Sequence, residues 1–519
     1  IGRRYAIMFA TFVVFMVGNI CQVASTGIPL LCIGRFITGL AVGMISAVVP
    51  LYQAEASPKF VRGAIISTYQ WAITWGLLVS SAVSQGTHSK QTSASYRVPI
   101  GLQFAWSLIL GIGMIFLPES PRFFIRKDDL SSAAKALSTL RRVPQDDPGL
   151  IEELVEIKAS HDYELSFGAY SFMDCFRDGE GRPRQLKRLL TGVALQAIQQ
   201  CSGINFIFYY GVNFFSRTGV SKSYLISFVT YAVNVCATIP GIMLVEIIGR
   251  RKLLIGGGLI MTLSNLLIAI VGVTTNSIIA NKIMIAFVCL FIASFAASWG
   301  PVVWVYSGEI FSLGVRGKAV ALTAATNWLV NFVFAYITPY LVDTGTHTAA
   351  LGTKIFFIWG GFNAIGVVFV YLFVYETKSL SLEQINELYR RCPNARASGK
   401  FEVKVNIPAS EREEDEAAIR NNAHGTVNLT ENEEKRGSSS NGSTFPASYD
   451  TQNMGGNHEG YNYETNAYQN NNNTEREYPT FNPGYQVDLG YGLGLAGQNR
   501  GPPSFASASS DEDDDVSEP

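Results

Sequence analysis

Gln70, Gln199, Gln200, Asn205, Asn234, Asn327 and Asn331 are carboxamide side chains that lie inside largely apolar stretches. An amide in such a stretch is costly unless something bonds it. Each has an acceptor oxygen and a two-hydrogen donor nitrogen, so the set matches a ligand whose groups both donate and accept. A neutral polyol is such a ligand, whereas a charged site would waste desolvation energy on it. Gln199, Gln200 and Asn205 fall in one run, where spacings of six and five share a helical face poorly. A break near Gly203 would turn all three inward. Trp304 adds an indole, whose face can cover apolar C–H groups while its N–H bonds a hydroxyl. It follows "WGPV" (Trp299–Val302), where Gly and Pro are expected to break the helix. The competing readings are bonding between helices for the amides and an interfacial belt for the indoles. Trp299 and Trp328 are read in that second way.

A charged set repeats. Glu55 and Arg62 stand seven apart and are followed by Gly63; Glu309 and Arg316 stand seven apart and are followed by Gly317. "IGRR" occurs at Ile1–Arg4 and again at Ile248–Arg251, each time two apolar runs before its Glu–Arg pair. Glu246, Arg250 and Arg251 border the second copy. Internal duplication of this kind marks transporter folds. The symmetry suggests ion pairs tying two halves together at one end. Exposed pairs worth up to about 1 kcal/mol each suit a switch between states a few kcal/mol apart. Anchoring by positive charge explains the arginines but not the glutamates. Because two runs of the second block, Leu189–Phe215 and Tyr224–Ile247, precede its "IGRR" and none precedes the first, two further spans are expected upstream, twelve in all.

Ten runs are long enough to cross about 30 Å of hydrocarbon. They are Tyr5–Ala24, Pro29–Pro50, Gly63–Ser84, Val98–Leu117, Leu189–Phe215, Tyr224–Ile247, Lys252–Thr274, Ile283–Tyr306, Ala319–Leu341 and Ile355–Val374. A soluble core does not supply so many. The chain is therefore expected to be an all-α polytopic membrane protein. Lys and Arg cluster in alternate loops, which puts those loops, residues 122–188 and both termini in the cytoplasm. Four parts follow: 1–120 with about four spans, 121–188 as a cytoplasmic helical segment, 189–376 with about six spans, and 377–519 as a polar tail. "DDLSSAAKALSTLRRV" in the second part has the periodicity of a soluble amphipathic helix. The tail is Asn-, Ser- and Glu-rich and is expected to be disordered. Ser509 and Ser510 in its acidic end are candidate phosphate acceptors, and Lys400, Lys404 and Lys435 candidate ubiquitination sites. The triplets at Asn428, Asn441 and Asn473 are not expected to carry glycans on a cytoplasmic tail. The seven cysteines lie in spans or cytoplasmic segments, so no structural disulfide is expected. No nucleophile–base set, P-loop or metal-spaced His cluster appears, which disfavours an enzyme, and nothing points to a cofactor, a metal or nucleic acid.

"GRFITGLAVG" (Gly34–Gly43), "PLYQAEASPKFVRG" (Pro50–Gly63), "PESPRFF" (Pro118–Phe124), "QQCSGINFIFYY" (Gln199–Tyr210), "VEIIGRR" (Val245–Arg251) and "YETKSLSLEQI" (Tyr375–Ile385) resemble the sugar porter family of the major facilitator superfamily. "NWLVNFVFAYITPYL" (Asn327–Leu341) resembles its fungal hexose transporters. The resemblance covers Ile1 to about Tyr389. It implies two six-helix halves, a plasma-membrane location and alternating access to a hexose, glucose first. It also implies a sugar site at Gln70, Gln199, Gln200, Asn205, Asn234, Trp304, Asn327 and Asn331, and outer-gate aromatics at Phe208, Tyr209 and Tyr210. Glu55, Arg62, Glu246, Arg250, Arg251, Glu309 and Arg316 become an inner gate that holds the outward-open state. Arg35, in "GRFITG", matches an arginine that neighbours an Asp of the first span in proton-coupled members, so symport and passive flux both stay open. Two departures stand out. Ala296 replaces a Glu of the animal members, and Tyr375 replaces a Pro that ends the final span, which leaves that helix free to run on. The long tail keeps a second function open, a sugar sensor of transporter fold that signals to cytosolic regulators.

Overall fold

The structure, a computed structural model, describes residues 2–87, 91–166, 171–179, 183–217, 223–275, 277–342 and 348–401. All of these lie in one compact unit, Ile1–Asn441. Every regular element among them is helical. In an apolar surrounding a helix is favoured because it satisfies its own backbone groups. The first four long helices are α1 (Arg3–Val23), α2 (Ile28–Ala56), α3 (Arg62–Thr87) and α4 (Ala94–Phe116). Three short ones follow, α5 (Pro121–Ile125), α6 (Leu130–Arg141) and α7 (Pro148–Leu165). The second set is α8 (Gln185–Cys201), α9 (Ile204–Arg217), α10 (Ser223–Ile248), α11 (Arg250–Thr274), α12 (Ile278–Ala297), α13 (Trp299–Glu309), α14 (Leu313–Val342) and α15 (Ile355–Phe373), and α16 (Leu382–Arg391) closes the described chain.

Eight helical segments are long and apolar enough to cross a membrane: α1, α2, α4, α10, α11, α12 with α13, α14 and α15. The other two expected runs form α3 and the α8–α9 pair, which fall short of that standard and carry amides of the candidate site. α3 packs on α10 and α13, and α2 on α14, so the two sets of helices meet along these pairs. Helices α5–α7 build a small core of their own from Ile125, Ala133, Leu137, Leu150, Ile151 and Leu154. The expected amphipathic helix is α6. Asp129 caps it by accepting from Ser132 N–H, which satisfies one of the free donors of its first turn.

Two breaks shape the second set. α8 stops at Cys201 and α9 starts at Ile204, with Gly203 at φ +89°, where glycine is favoured. Ser202 O, left without a helical partner, accepts from Asn265 and Asn363 Nδ2 at 3.4 and 3.2 Å. The second break falls at Ser298 rather than inside "WGPV". Pro301 sits in the first turn of α13, where its missing N–H costs nothing. The freedom of the last span to run on is not used. α15 ends at Phe373, and Val374 is extended. Tyr375 supplies the stop by tertiary contact in place of proline. Its N–H donates to Tyr306 OH at 3.1 Å, its ring lies 4.5 Å from that of Tyr389, and its own OH accepts from Arg184 and Lys187.

The cysteines described are all free thiols. Ser509, Ser510, Lys404, Lys435, Asn428, Asn441 and Asn473, with the tail's expected disorder, lie outside the described residues. Gly203→Ala would place a Cβ 2.5 Å from Trp359 Cγ at a left-handed φ. It should lower the unfolding midpoint of the purified protein, with a cost of about 1–3 kcal/mol for the backbone conformation alone. Gly361→Ala, in a helix with nothing within 4 Å, should leave the midpoint unchanged or raise it slightly.

Candidate ligand-binding site and charged end

The break at Gly203 lets α8 and α9 offer amides to the same place. Asn327 Nδ2, on α14, donates to Gln196 Oε1 and Gln199 Oε1 at 2.6 and 2.8 Å. Gln200 Nε2 donates to Asn327 Oδ1 at 3.0 Å and to Gln199 Oε1 at 3.3 Å. Asn205 Nδ2 donates to Gln200 Oε1 and, at 3.0 Å, to Asn331 Oδ1. Asn331 Nδ2 then reaches Tyr209 OH at 3.2 Å. Five of the expected amides, Gln199, Gln200, Asn205, Asn327 and Asn331, thus form one continuous network between α8–α9 and α14.

The second break joins α13 to it. Gln199 Nε2 donates to Trp299 O and Gly300 O, carbonyls of the first turn of α13, at 2.8 and 3.1 Å. Gln196 Nε2 donates to Ser307 Oγ at 3.2 Å, two turns further on. Gln70, buried on α3, packs beside Gly300: a Cβ there would lie 3.4 Å from Gln70 Cγ. Its amide has no hydrogen-bond partner among the described residues. Trp304 is buried against Ala54, Ile66 and Ala324, edge-on to Tyr69 with ring centroids 5.2 Å apart. Gln70 and Trp304 therefore keep their polar atoms unengaged beside a network whose other amides largely bond one another. Asn234 is fully buried on α10, and both its amide atoms lack partners, so no hydrogen bond joins it to the network.

Trp299 is not the interfacial indole expected: it is fully buried in the core and bonds Leu254 O through its indole N–H at 2.9 Å, which makes it packing. Trp328 bonds Ser46 Oγ at 3.0 Å, an α14–α2 contact, and lines an open cleft of about 640 Å³ together with Gln22, Arg35, Thr38 and Gln103. Ala296 is buried and offers no polar group. Phe208 stacks on Tyr231 at 5.3 Å, and Tyr210 OH donates to Ala335 O at 2.7 Å, while the ring of Tyr209 is half exposed. Residue-by-residue reading missed Gln196, Ser307, Asn265 and Asn363. Only Gln196 left a signal, three residues before Gln199 on the same helical face.

The charged residues gather at one end of the bundle. Arg3 pairs with Glu55 at 2.8 Å, and Arg250 with Glu246 and Glu309, each at 2.8 Å. These pairs close within their own set of helices rather than between the sets as expected, and Arg3–Glu55 and Arg250–Glu309 are buried, not the exposed pairs expected. Between the sets, Glu55 lies within electrostatic reach of Arg316, and Arg62 within reach of Glu309. Ala64 N–H donates to Glu246 at 3.1 Å, and a Cβ on Gly63 would lie 2.5 Å from the Arg250 guanidinium, so the contact requires glycine. Arg62 donates to Leu380 O at 3.1 Å; Arg251 donates to Tyr371 O at 2.8 Å and Arg316 to Phe311 O at 3.0 Å. Sequence reading overlooked the buried pair of Arg122 with Glu383, which joins the α5–α7 segment to α16, and the bond of Ser381 to Glu156 at 2.7 Å beside it.

A family model described as "Sugar (and other) transporter" matches residues 1–389. The high glucose sensor RGT2 of Saccharomyces cerevisiae is 54% identical over 524 residues, 98% of this chain and 68% of its own length. The major facilitator-type transporter ecdD of Aspergillus rugulosus is 47% identical over 415 residues, 78% of this chain and 76% of its own. Among solved structures, the proton:xylose symporter XylE bound to 6-bromo-6-deoxy-D-glucose superposes with a TM-score of 0.65 at 26% identity, covering 75% of this chain and 83% of that one. XylE from E. coli in an inward-open conformation superposes less well, at a TM-score of 0.53 and 25% identity over 74% and 82% of the two chains.

Burial alone would raise the Glu383 carboxyl, but the Arg122 guanidinium outweighs it and holds the group down at about 2. A depressed carboxylate stabilises the folded state above its unfolded pKa and loses that contribution as pH falls through the folded one. Glu383→Gln should therefore cost about 3 kcal/mol near neutral pH. In unfolding measurements on solubilised protein, the gap between wild type and variant should narrow progressively below about pH 4.5. A gap independent of pH would remove the ion pair from the account.

Proposed function

This chain belongs to the sugar transporter family and has the major facilitator fold, and on that premise we propose that it is a hexose transporter, glucose first, working by alternating access. The observation that carries this reading is the carboxamide network across both helix breaks, with Gln70 and the Trp304 indole left unengaged beside it. A hexose offers hydroxyls that both donate and accept, and an apolar face for an indole. Nothing ionic lies in the network, which suits an uncharged ligand. Gln199, Gln200, Asn205, Asn327 and Asn331 would bind hydroxyls by exchanging bonds they now make with one another. Asn234, with two buried and unsatisfied polar atoms, would gain partners from the sugar or from water it retains.

In this reading the charged end is cytoplasmic and closed, and the pairs around Glu55, Arg62, Glu246, Arg250, Arg251, Glu309 and Arg316 break as it opens. Residues 1–120 and 189–376 are the two moving halves, 121–188 bridges them, and 377–519 is a cytoplasmic tail that receives regulators. Phe208, Tyr209 and Tyr210 close the opposite end, in the plasma membrane of the cell. Arg35 faces the open cleft, where a proton-coupled mechanism would use it.

A second reading, a glucose sensor, is favoured by one specific observation. The likeness to RGT2 extends over 98% of this chain, tail included, whereas that to ecdD covers 78%. The sugar site would be the same and the output would differ.

Labelled glucose offered to a transport-null host expressing the chain separates the two. Saturable uptake supports the carrier, and saturable binding with signalling but no flux supports the sensor. In either case Gln200→Ala or Trp304→Ala should weaken uptake or binding by about tenfold, the value of one hydrogen bond to a hydroxyl, with membrane expression kept. Unchanged kinetics in both variants would remove the proposed site.

A further inference from the structure

Just before α8 enters the bundle, the chain carries an apolar surface that the transport reading does not use. Residues Met173–Cys175 form one 3₁₀ turn that packs on the starts of α8 and α14. One side of the turn is fixed inward. Cys175 is fully buried in the same core as Leu189, and Asp178 Oδ1 accepts from Leu186 N–H at 2.9 Å. The other side is turned out: Phe172 and Met173 are each 51% exposed and Phe176 40%. The Phe172 and Phe176 rings meet edge-on at 5.8 Å, so they form one patch rather than two separate side chains. Arg177, also exposed, follows at once.

An aromatic patch of this kind in water would be an aggregation liability. Leu186 and Leu190, on the first turns of α8, are exposed at the outer surface of a helix that the fold places among the spans. The turn packs on that helix, and the Asp178 side chain, two residues past Phe176, holds it to Leu186 N–H, so the patch lies at the start of the same helix that bears Leu186 and Leu190. Apolar rings on one side, a buried anchor on the other and a cation at the edge are the features of an element lying in the headgroup–acyl boundary. We propose that Phe172, Met173 and Phe176 seat this turn in the lipid interface at the charged end, with Arg177 toward acidic headgroups. The turn then fixes the depth at which α8, carrier of Gln196, Gln199 and Gln200, starts. The proposal rests on the reading that α8 begins a membrane span.

The test places benzoylphenylalanine singly at Phe172, Phe176, Leu190 and Lys135 in the full chain, reconstituted in vesicles of phosphatidylcholine and phosphatidylserine. Lys135, exposed on α6, reports water, and Leu190 reports lipid. After illumination, lipid adducts at Phe172 and Phe176 should match those at Leu190 within about threefold and exceed those at Lys135 by about tenfold, as for side chains inside the acyl boundary. Adducts at Leu190 alone, or crosslinks from Phe172 and Phe176 to protein in place of lipid, overturn the anchor and leave the span. Loss of lipid adducts at Leu190 too overturns both.

Discussion

An amide buried between apolar helices has to be bonded, and much of this structure follows from how that requirement is met. No single helix could satisfy Gln199, Gln200, Asn205, Asn327 and Asn331. The solution is to break the α8–α9 rod at Gly203 and cross the amides to α14, so that each bonds the next. The breaks create new needs. Ser202 O takes Asn265 and Asn363, and Gln199 adds a donor to Trp299 O and Gly300 O at the start of α13. Such a network is satisfied without a ligand yet built only from groups that a polyol can replace one for one. Its bonds are neutral and reversible, whereas a salt bridge at the same depth would hold a sugar out.

Much of this was legible in the residues. Apolar runs of span length mark the helices because hydrocarbon thickness fixes their length, and amides inside such runs stand out against their surroundings. Poor facial spacing of Gln199, Gln200 and Asn205 implied a break, and the break is at Gly203. The bonding partners were not legible. Asn265 and Asn363 look like isolated amides in α11 and α15, and only the fold shows that both face the same orphan carbonyl. Ser298 breaks the rod where glycine and proline were expected to, because proline is tolerated in a first turn and so does not mark the break itself. The end of α15 needed no proline, since Tyr375 is held by Tyr306, Tyr389, Arg184 and Lys187, none of which is near it in sequence.

The repeat in sequence becomes a near-symmetry of charge in space. Glu55 lies within electrostatic reach of Arg316 as Arg62 lies within reach of Glu309, each from one set of helices to the other. The pairs inside each set, Arg3–Glu55 and Arg250–Glu309, fix each carboxylate for its partner across the gap. Positive charge alone would orient the loops but would not need these glutamates, which explains why acidic residues recur at the same offsets as the arginines.

The short helix α13 connects the two regions. Its first turn gives Gly300 O to Gln199, its middle carries Trp304, and its last turns carry Tyr306 and Glu309. Tyr306 OH bonds Tyr389 OH at 2.7 Å and Glu309 accepts from Thr377 at 2.8 Å, so the helix that faces the candidate ligand also grips the segment leading to the tail. Arg188 strengthens that grip by reaching Ile310 O and Asn386 O, with its guanidinium 4.4 Å from the Tyr389 ring. The other side of α16 is held differently, through the Arg122–Glu383 pair and Ser381 bound to Glu156. Hydrogen bonds, the Arg188 guanidinium and a shared core join α16 to the second set of helices, while a few polar contacts join it to α5–α7. Any separation at the charged end should therefore part α16 from α5–α7 and carry it with α13, because the shared apolar core on the α13 side is lost only with the whole interface, while the α5–α7 side is held by the Arg122–Glu383 pair and the Ser381–Glu156 bond.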